Sequence, residues 1–425
     1  MKNKALFILV SFSCLLVIKA KSLLYPNPVK PEHCVFNTVF GEVDLDDNCT
    51  YETSAVIQSA IEEGLEWLEK AQHPDGGWGA GFHSNQKEMN PHRVPADPAT
   101  TAMVAMSLLR SGSTPNAGPY AKQLMQATKF LLNAVEAAEP HQPITKLRDT
   151  QIQNKLGQNI DLVLTTQYFT NLLDQLAESD KLYEPVFIAI NKSVDMVQMK
   201  MDENGKAKGS GWAGVLQSAF ATNALESAAA QGAAVDKDVL DRSKDYQTQN
   251  YDYNNESVET RDGAGVMLYS VSGSVRANAK DARKAKQLIL DANEAGILKE
   301  EDINFENLIK TGLSEKDAMK FSTAAQVYDS AKRKAQDKTV MKGFGNNGGE
   351  EFMSFLQTGE SLIINNDDSW TDWYEQVAAN LTNIQNRDGS WNGHHCITSP
   401  VFCTATCLMI LSINNDIETL VARGQ

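Results

Sequence analysis

The sequence predicts an all-α fold of stacked helical hairpins, and three observations carry that expectation. First, a phrase of amphipathic helix, Gly-Trp turn and second, smaller-residue helix recurs along the chain. Its fullest copy sets Ile61, Leu65, Leu68 and Ala71 at i, i+4, i+7 and i+10, one face of a helix. Pro74-Asp75-Gly76-Gly77-Trp78-Gly79 then breaks that helix, and Ala102 to Leu109 resumes it. Second, Gly and Pro cluster between helical stretches, at Gly112 to Pro119, Gly205 to Gly214 and Gly343 to Gly349. Third, β-branched alternating runs are nearly absent, so strands should be few. Self-similarity of this kind means hairpins that stack, because one hairpin cannot bury its own apolar face.

Taken in order, residues 1–20 read as a secretory signal. Lys2 and Lys4 precede the apolar run Ala5 to Ile18, and cleavage sites follow near Ala20 or Ser22. That run is short for a membrane span, and no later segment is long and apolar enough to cross a membrane. The expectation is an exported chain, periplasmic or extracellular. Residues 21–52 form an arm rich in Pro, Asp and Asn. Residues 53–425 read as one domain. First helices of the pairs begin near Ile57, Lys122, Glu184, Lys237, Phe321 and Trp370, and second helices near Pro98, Asn159, Val215, Gly263, Gly349 and Pro400. That gives about six hairpins. Asp281 to Leu313 reads as a charged helical insertion. The middle copy of the phrase has Asp202-Glu203-Asn204-Gly205 and then Gly211-Trp212; the last has Asn386-Arg387-Asp388-Gly389-Ser390-Trp391. Trp78, Trp212 and Trp391 are expected to staple adjacent repeats, and Trp370 and Trp373 to pack or face solvent.

Bulk properties narrow the function. The chain has 425 residues, 42% of them hydrophobic, enough for a substantial core. A net charge of -15 argues against a nucleic-acid partner, which needs a basic footprint. It gives no clear oligomer interface. Six cysteines are present. Cys14 leaves with the signal, and Cys34 and Cys49 flank an acidic loop and could pair in an oxidising compartment. Cys396, Cys403 and Cys407 crowd near the C-terminus, where at most two can pair with each other. A Cys396–Cys403 disulfide, an inert core thiol at Cys407 and a metal site all stay open.

Gln72-His73-Pro74-Asp75-Gly76-Gly77-Trp78-Gly79 and Gln385-Asn386-Arg387-Asp388-Gly389-Ser390-Trp391 resemble the Gln-Trp repeats of squalene and terpene cyclases and of protein prenyltransferase β subunits. The resemblance implies an α/α toroid, inner helices around a central cavity and outer helices around them, over residues 53 to about 420. It also implies an apolar, isoprenoid-like small-molecule ligand. In cyclases an Asp-X-Asp-Asp motif starting an inner helix supplies the acid. Here Asp44-Leu45-Asp46-Asp47 lies ahead of the first repeat, and the matching segment, Asp97-Pro98-Ala99-Thr100, has Ala99 in the acid's place. In prenyltransferases zinc is held by Asp, Cys and His. Glu350 stands at the Asp position, Phe352 at the Cys position and Cys403 at the His position. With His395 and Cys396 nearby, Glu350, His395, Cys396 and Cys403 form a candidate zinc set, since thiolate, imidazole and carboxylate all bind zinc.

A toroid gathers inner-helix N-termini at one end of its cavity. Those ends expose unpaired N–H groups and partial positive charge, which favour carboxylates. The residues placed there are Asp97, Asp161, Gln217, Asp262, Glu350, Glu351, His395 and Cys396, with His92 and Arg93 leading to Asp97. Capping alone explains Asp97 and Asp262. As a set, Asp97, Asp262, Glu350, Glu351 and His395 are the candidate catalytic residues. A zinc-dependent transferase or hydrolase, a carbohydrate-active enzyme using a carboxylate pair, and a non-enzymatic scaffold are the competing readings.

Overall fold

In a computed structural model of the chain, residues 53–424, apart from 210 and 346, are described, and statements of number or absence refer to these. The signal segment, the arm and the Cys34–Cys49 pairing lie outside them.

Outer helices are amphipathic and inner helices are largely buried. The first hairpin pairs α1 (Ala55–Lys70) with α2 (Pro98–Arg110). The second pairs α3 (Ala121–Ala137) with α5 (Ile160–Leu173), with the short α4 (Gln151–Lys155) between them. The third and fourth pair α6 (Tyr183–Met199) with α7 (Gly214–Ala230), and α8 (Lys237–Gln249) with α9 (Met267–Glu294). After α10 (Phe305–Lys310), the fifth pairs α11 (Glu315–Ala335) with α13 (Gly349–Asn365), with α12 (Lys338–Met341) between. The sixth pairs α14 (Trp370–Asn383) with α15 (Pro400–Leu411), and α16 (Ile417–Gly424) follows. Among the described residues the only strands are a two-residue hairpin, Tyr251–Asp252 against Ser257–Val258.

The inner helices close a ring. Each of α2, α5, α7, α9, α13 and α15 packs on the next, and α15 packs back on α2. This closure makes the fold an α/α toroid. Every residue of α13 and α15 is buried, whereas α1 buries only Ile57, Ala60, Gly64, Leu65 and Leu68. The stretch expected as a charged insertion is in part a continuation of an inner helix: α9 runs on to Glu294, and only α10 stands apart. Among the described residues no single helix is long and apolar enough to cross a membrane.

The repeat turn explains how each hairpin is fixed. Gln72 Nε2 donates to Gly76 O at 2.9 Å, and Gln385 Nε2 donates to Gly389 O at 2.9 Å. Gly76 and Gly389 have φ of 91° and 90°, left-handed backbone that favours glycine. Trp78 and Trp391 are fully buried. Their indole N–H groups donate to Leu68 O and Leu381 O, and their backbone N–H groups to Thr101 Oγ1 and Thr404 Oγ1. Each Trp thus ties its outer helix to its inner helix, and its buried N–H is satisfied. Gly64 makes room at the seam, since a Cβ there would lie 2.9 Å from the Trp391 ring.

Trp212 departs from the expected staple. The third copy has the same turn, with Gly205 at φ 82° and Asp202 N–H donating to Lys206 O at 2.8 Å. Ala207 fills the Trp position there: its N–H donates to Ser218 Oγ at 3.1 Å, as Trp78 does to Thr101. Trp212 therefore lies beyond the staple, 36% exposed, and is free for another role. Trp370 and Trp373 are both buried.

Candidate functional site

Hydrogen bonds between neighbouring inner-helix starts confirm a shared end. Ala99 N–H donates to Asp161 at 3.2 Å, Asn159 N–H to Gln217 at 2.9 Å, and the Tyr269 hydroxyl to Glu351 at 2.5 Å. Ile397 N–H, just before α15, donates to Glu350 Oε2 at 3.2 Å.

Asp97 is a satisfied cap. It accepts from Thr100 N–H at 2.8 Å, Ala80 N–H at 2.9 Å and the Thr100 hydroxyl at 2.9 Å. Burial, and for Asp97 the neighbouring Asp161, raise both carboxyls above their ordinary range. Asp262 is drawn into a local ion pair, with Lys206 at 2.5 Å and the Tyr246 hydroxyl at 2.7 Å. Burial would raise its carboxyl, but these partners outweigh it and hold it low. His92 and Arg93 lie on a single turn ahead of α2; Arg93 pairs loosely with Glu88.

Glu350, Glu351, His395, Cys396 and Cys403 do come together, at the adjacent starts of α13 and α15. Both glutamates are fully buried. Glu350 Oε1 has no hydrogen-bond partner among the described residues. Burial, and then the charge of Glu351, push its carboxyl up to about 8. Glu351 Oε1 accepts from Tyr269 and from Phe344 N–H at 2.9 Å, while Oε2 has no hydrogen bond and stands 3.9 Å from His395 Nε2. Neither ring nitrogen of His395 has a hydrogen-bond partner among the described residues. Burial and the neighbouring Glu350 push the Cys396 thiol up to about 12, and its backbone sits at φ 58°. Burial raises Cys403 and Cys407 further.

Among the described residues Cys396, Cys403 and Cys407 are free thiols, so the Cys396–Cys403 disulfide reading does not hold in this structure. Cys403 Sγ is instead turned to Ile397 O at 3.5 Å. The zinc set fails a fit test on the same residues. Phe352 fills the position of the family's Cys ligand and is fully buried. Among the described residues no three His, Cys, Asp or Glu side chains are arranged to hold a metal ion.

Four residues complete the site that the sequence did not single out for it. Trp212 meets Phe344 edge-on at 5.5 Å and Tyr269 at 6.4 Å between ring centroids. Phe344, 59% exposed, stands edge-on over His395 at 5.1 Å. Lys155, at the end of α4, sits 4.9 Å from the centre of the Trp212 ring. The buried carboxyls therefore lie beneath an aromatic rim with a cation beside it. Elsewhere the inner helices mix apolar residues with hydroxyls and amides, and Thr165, Asn223 and Gln357 each have a buried polar atom without a partner. At the opposite end of the ring a cavity of about 330 Å³ is lined by Arg110, Asn171, Asp174, Asp416 and Arg423 among others.

No protein-family profile and no curated protein sequence matches the chain. One solved structure similar to it is a type II terpene cyclase from Scytonema in complex with geranylgeranyl dihydroxybenzoate. The two are 11% identical; the match covers 85% of this chain and 98% of that one, with a TM-score of 0.44. That likeness is too loose to carry weight, and the toroid rests on the closed ring of inner helices.

Proposed function

We propose that the protein is an exported small-molecule enzyme whose reacting end is the mouth formed by the inner-helix N-termini, with Glu350 as proton donor. The observation that carries this reading is the Glu350 carboxyl itself. It is fully buried, held through one oxygen by Ile397 N–H, set beside the Cys396 thiol, and pushed up to about 8. A carboxyl in that state is still protonated at neutral pH and has a proton to give. Glu351, fixed by Tyr269 and Phe344 N–H, supplies a neighbouring acceptor. Trp212 and Phe344 supply an apolar wall, so the ligand presents an apolar face to the rim and polar groups to the carboxyls beneath.

Tryptophan fluorescence tests the location. Prenyl diphosphates, fatty acids and sugars are titrated into the full chain. A bound ligand is expected to alter the emission of wild type and not that of Trp212→Phe. A response unchanged in Trp212→Phe would move the ligand site away from the mouth. Once a substrate is in hand, turnover should fall as pH rises through about 8 and be lost in Glu350→Gln.

A further inference from the structure

We propose that the mouth takes a sugar ring carrying a single carboxylate, a uronate-type ligand; this rests on the reading of the mouth as the ligand site and names its substrate class. The donors stand on one side. Gln151 and Lys155 are four residues apart on α4 and so rise from one face of it. Gln151 is fully buried, and its side-chain oxygen accepts from the amides of Thr398 at 2.8 Å and Ser399 at 3.1 Å. Its Nε2 has no partner among the described residues. Glu350 reaches the preceding amide of the same loop, Ile397, so the two side chains converge there, and its protonated carboxyl is a further donor. Lys155 is held over the Trp212 ring and forms no ion pair among the described residues.

The acceptors are Glu351 and His395, on the starts of α13 and α15. Glu351 Oε2 is buried without a hydrogen bond, and His395 can give or take one at either nitrogen according to its tautomer. A hydrocarbon entering here would leave these groups unpaired, at about 1–3 kcal/mol each. Sugar hydroxyls both donate and accept, so a ring of them answers both sets of groups. The indole of Trp212 matches the apolar face of such a ring. Lys155, within electrostatic reach of Glu350 but in no direct ion pair among the described residues, offers the ligand one positive charge, which a carboxylate on the ring can meet. Phe344, exposed above His395, is the side chain that must shift to admit the ring.

Calorimetric titration of the full chain with trigalacturonate, galactotriose and decanoate at neutral pH tests the proposal. Trigalacturonate is expected to bind at least about tenfold more tightly than galactotriose. Lys155→Met should abolish that preference while leaving the thermal midpoint and circular dichroism unchanged, and Trp212→Phe should weaken both sugars. Equal affinity for the two trisaccharides overturns the carboxylate assignment. Decanoate binding without either sugar overturns the sugar class and leaves the mouth as the ligand site. Binding of none of the three also overturns the uronate proposal, whereas the mouth itself falls only if ligand responses prove independent of Trp212.

Discussion

Replacing Glu350 by Gln should change how stability depends on pH. Burial holds the carboxyl near 8 in the folded chain, against an ordinary value of 4.5. Below 4.5 the group is neutral in both states, and the preference of the fold for the neutral form contributes fully. Between 4.5 and about 8 the unfolded chain gives up its proton while the folded chain keeps it. Stability from this group therefore falls as pH rises through that window. At 1.36 kcal/mol per pH unit the full loss is roughly 5 kcal/mol, and water reaching the charged form would lower it to about 2–5 kcal/mol. Glutamine keeps the shape and the bond from Ile397 N–H but cannot ionise. Urea unfolding of wild type and Glu350→Gln at intervals from pH 4.5 to 9 reads the difference directly. The variant should gain on wild type steadily up to about pH 8, then run parallel to it. A constant difference across the range would mean that Glu350 is charged in the native protein, and the proton-donor role would fall with it.

Two further outcomes test the architecture. Trp78→Ala and Trp391→Ala each remove a fully buried ring and should cost about 3–5 kcal/mol in chemical denaturation, whereas Trp212→Ala, at a partly exposed ring, should cost less, about 1–3 kcal/mol; equal losses at all three would restore Trp212 as a staple. Arg110, buried between Glu360 at 2.6 Å and Asp416 at 2.6 Å, should cost about 3–5 kcal/mol when changed to Met, and Glu360→Gln in the same chain should recover part of it; no recovery would mean that the lost packing dominates.

The hairpins were legible in the sequence because their boundaries are written in local chemistry. Pro98 and Pro400 open inner helices behind the caps Asp97 and Ser399, and the Asp-Gly turns close outer ones. The gathering of Glu350, Glu351, His395 and Cys396 was legible too, because a toroid collects helix starts at one end. Trp212 was misread because a Gly-Trp pair stood close to the expected turn. Spacing held the correction: Gln72 to Trp78 and Gln385 to Trp391 match Met201 to Ala207, not Trp212. Lys155, Tyr269 and Phe344 carry no such mark. They reach the mouth only through packing between α4, α9 and the segment before α13, which no local pattern encodes.

The closed ring has one joint unlike the others. Around most of the circle, neighbouring repeats are bound by packing and by the chain that runs from one to the next. Between the first and sixth no chain segment connects them, and they are held by non-covalent contacts: α15 on α2, the Trp391 ring against Gly64, Gln385 Nε2 donating to Ala60 O, and Arg110 donating to Met409 O. These contacts join residues about 300 positions apart, so they carry a large loop-closure cost. The joint works as a clasp on a bracelet. Glu350 and His395 sit at the neighbouring seam, where the start of α13 meets the loop before α15.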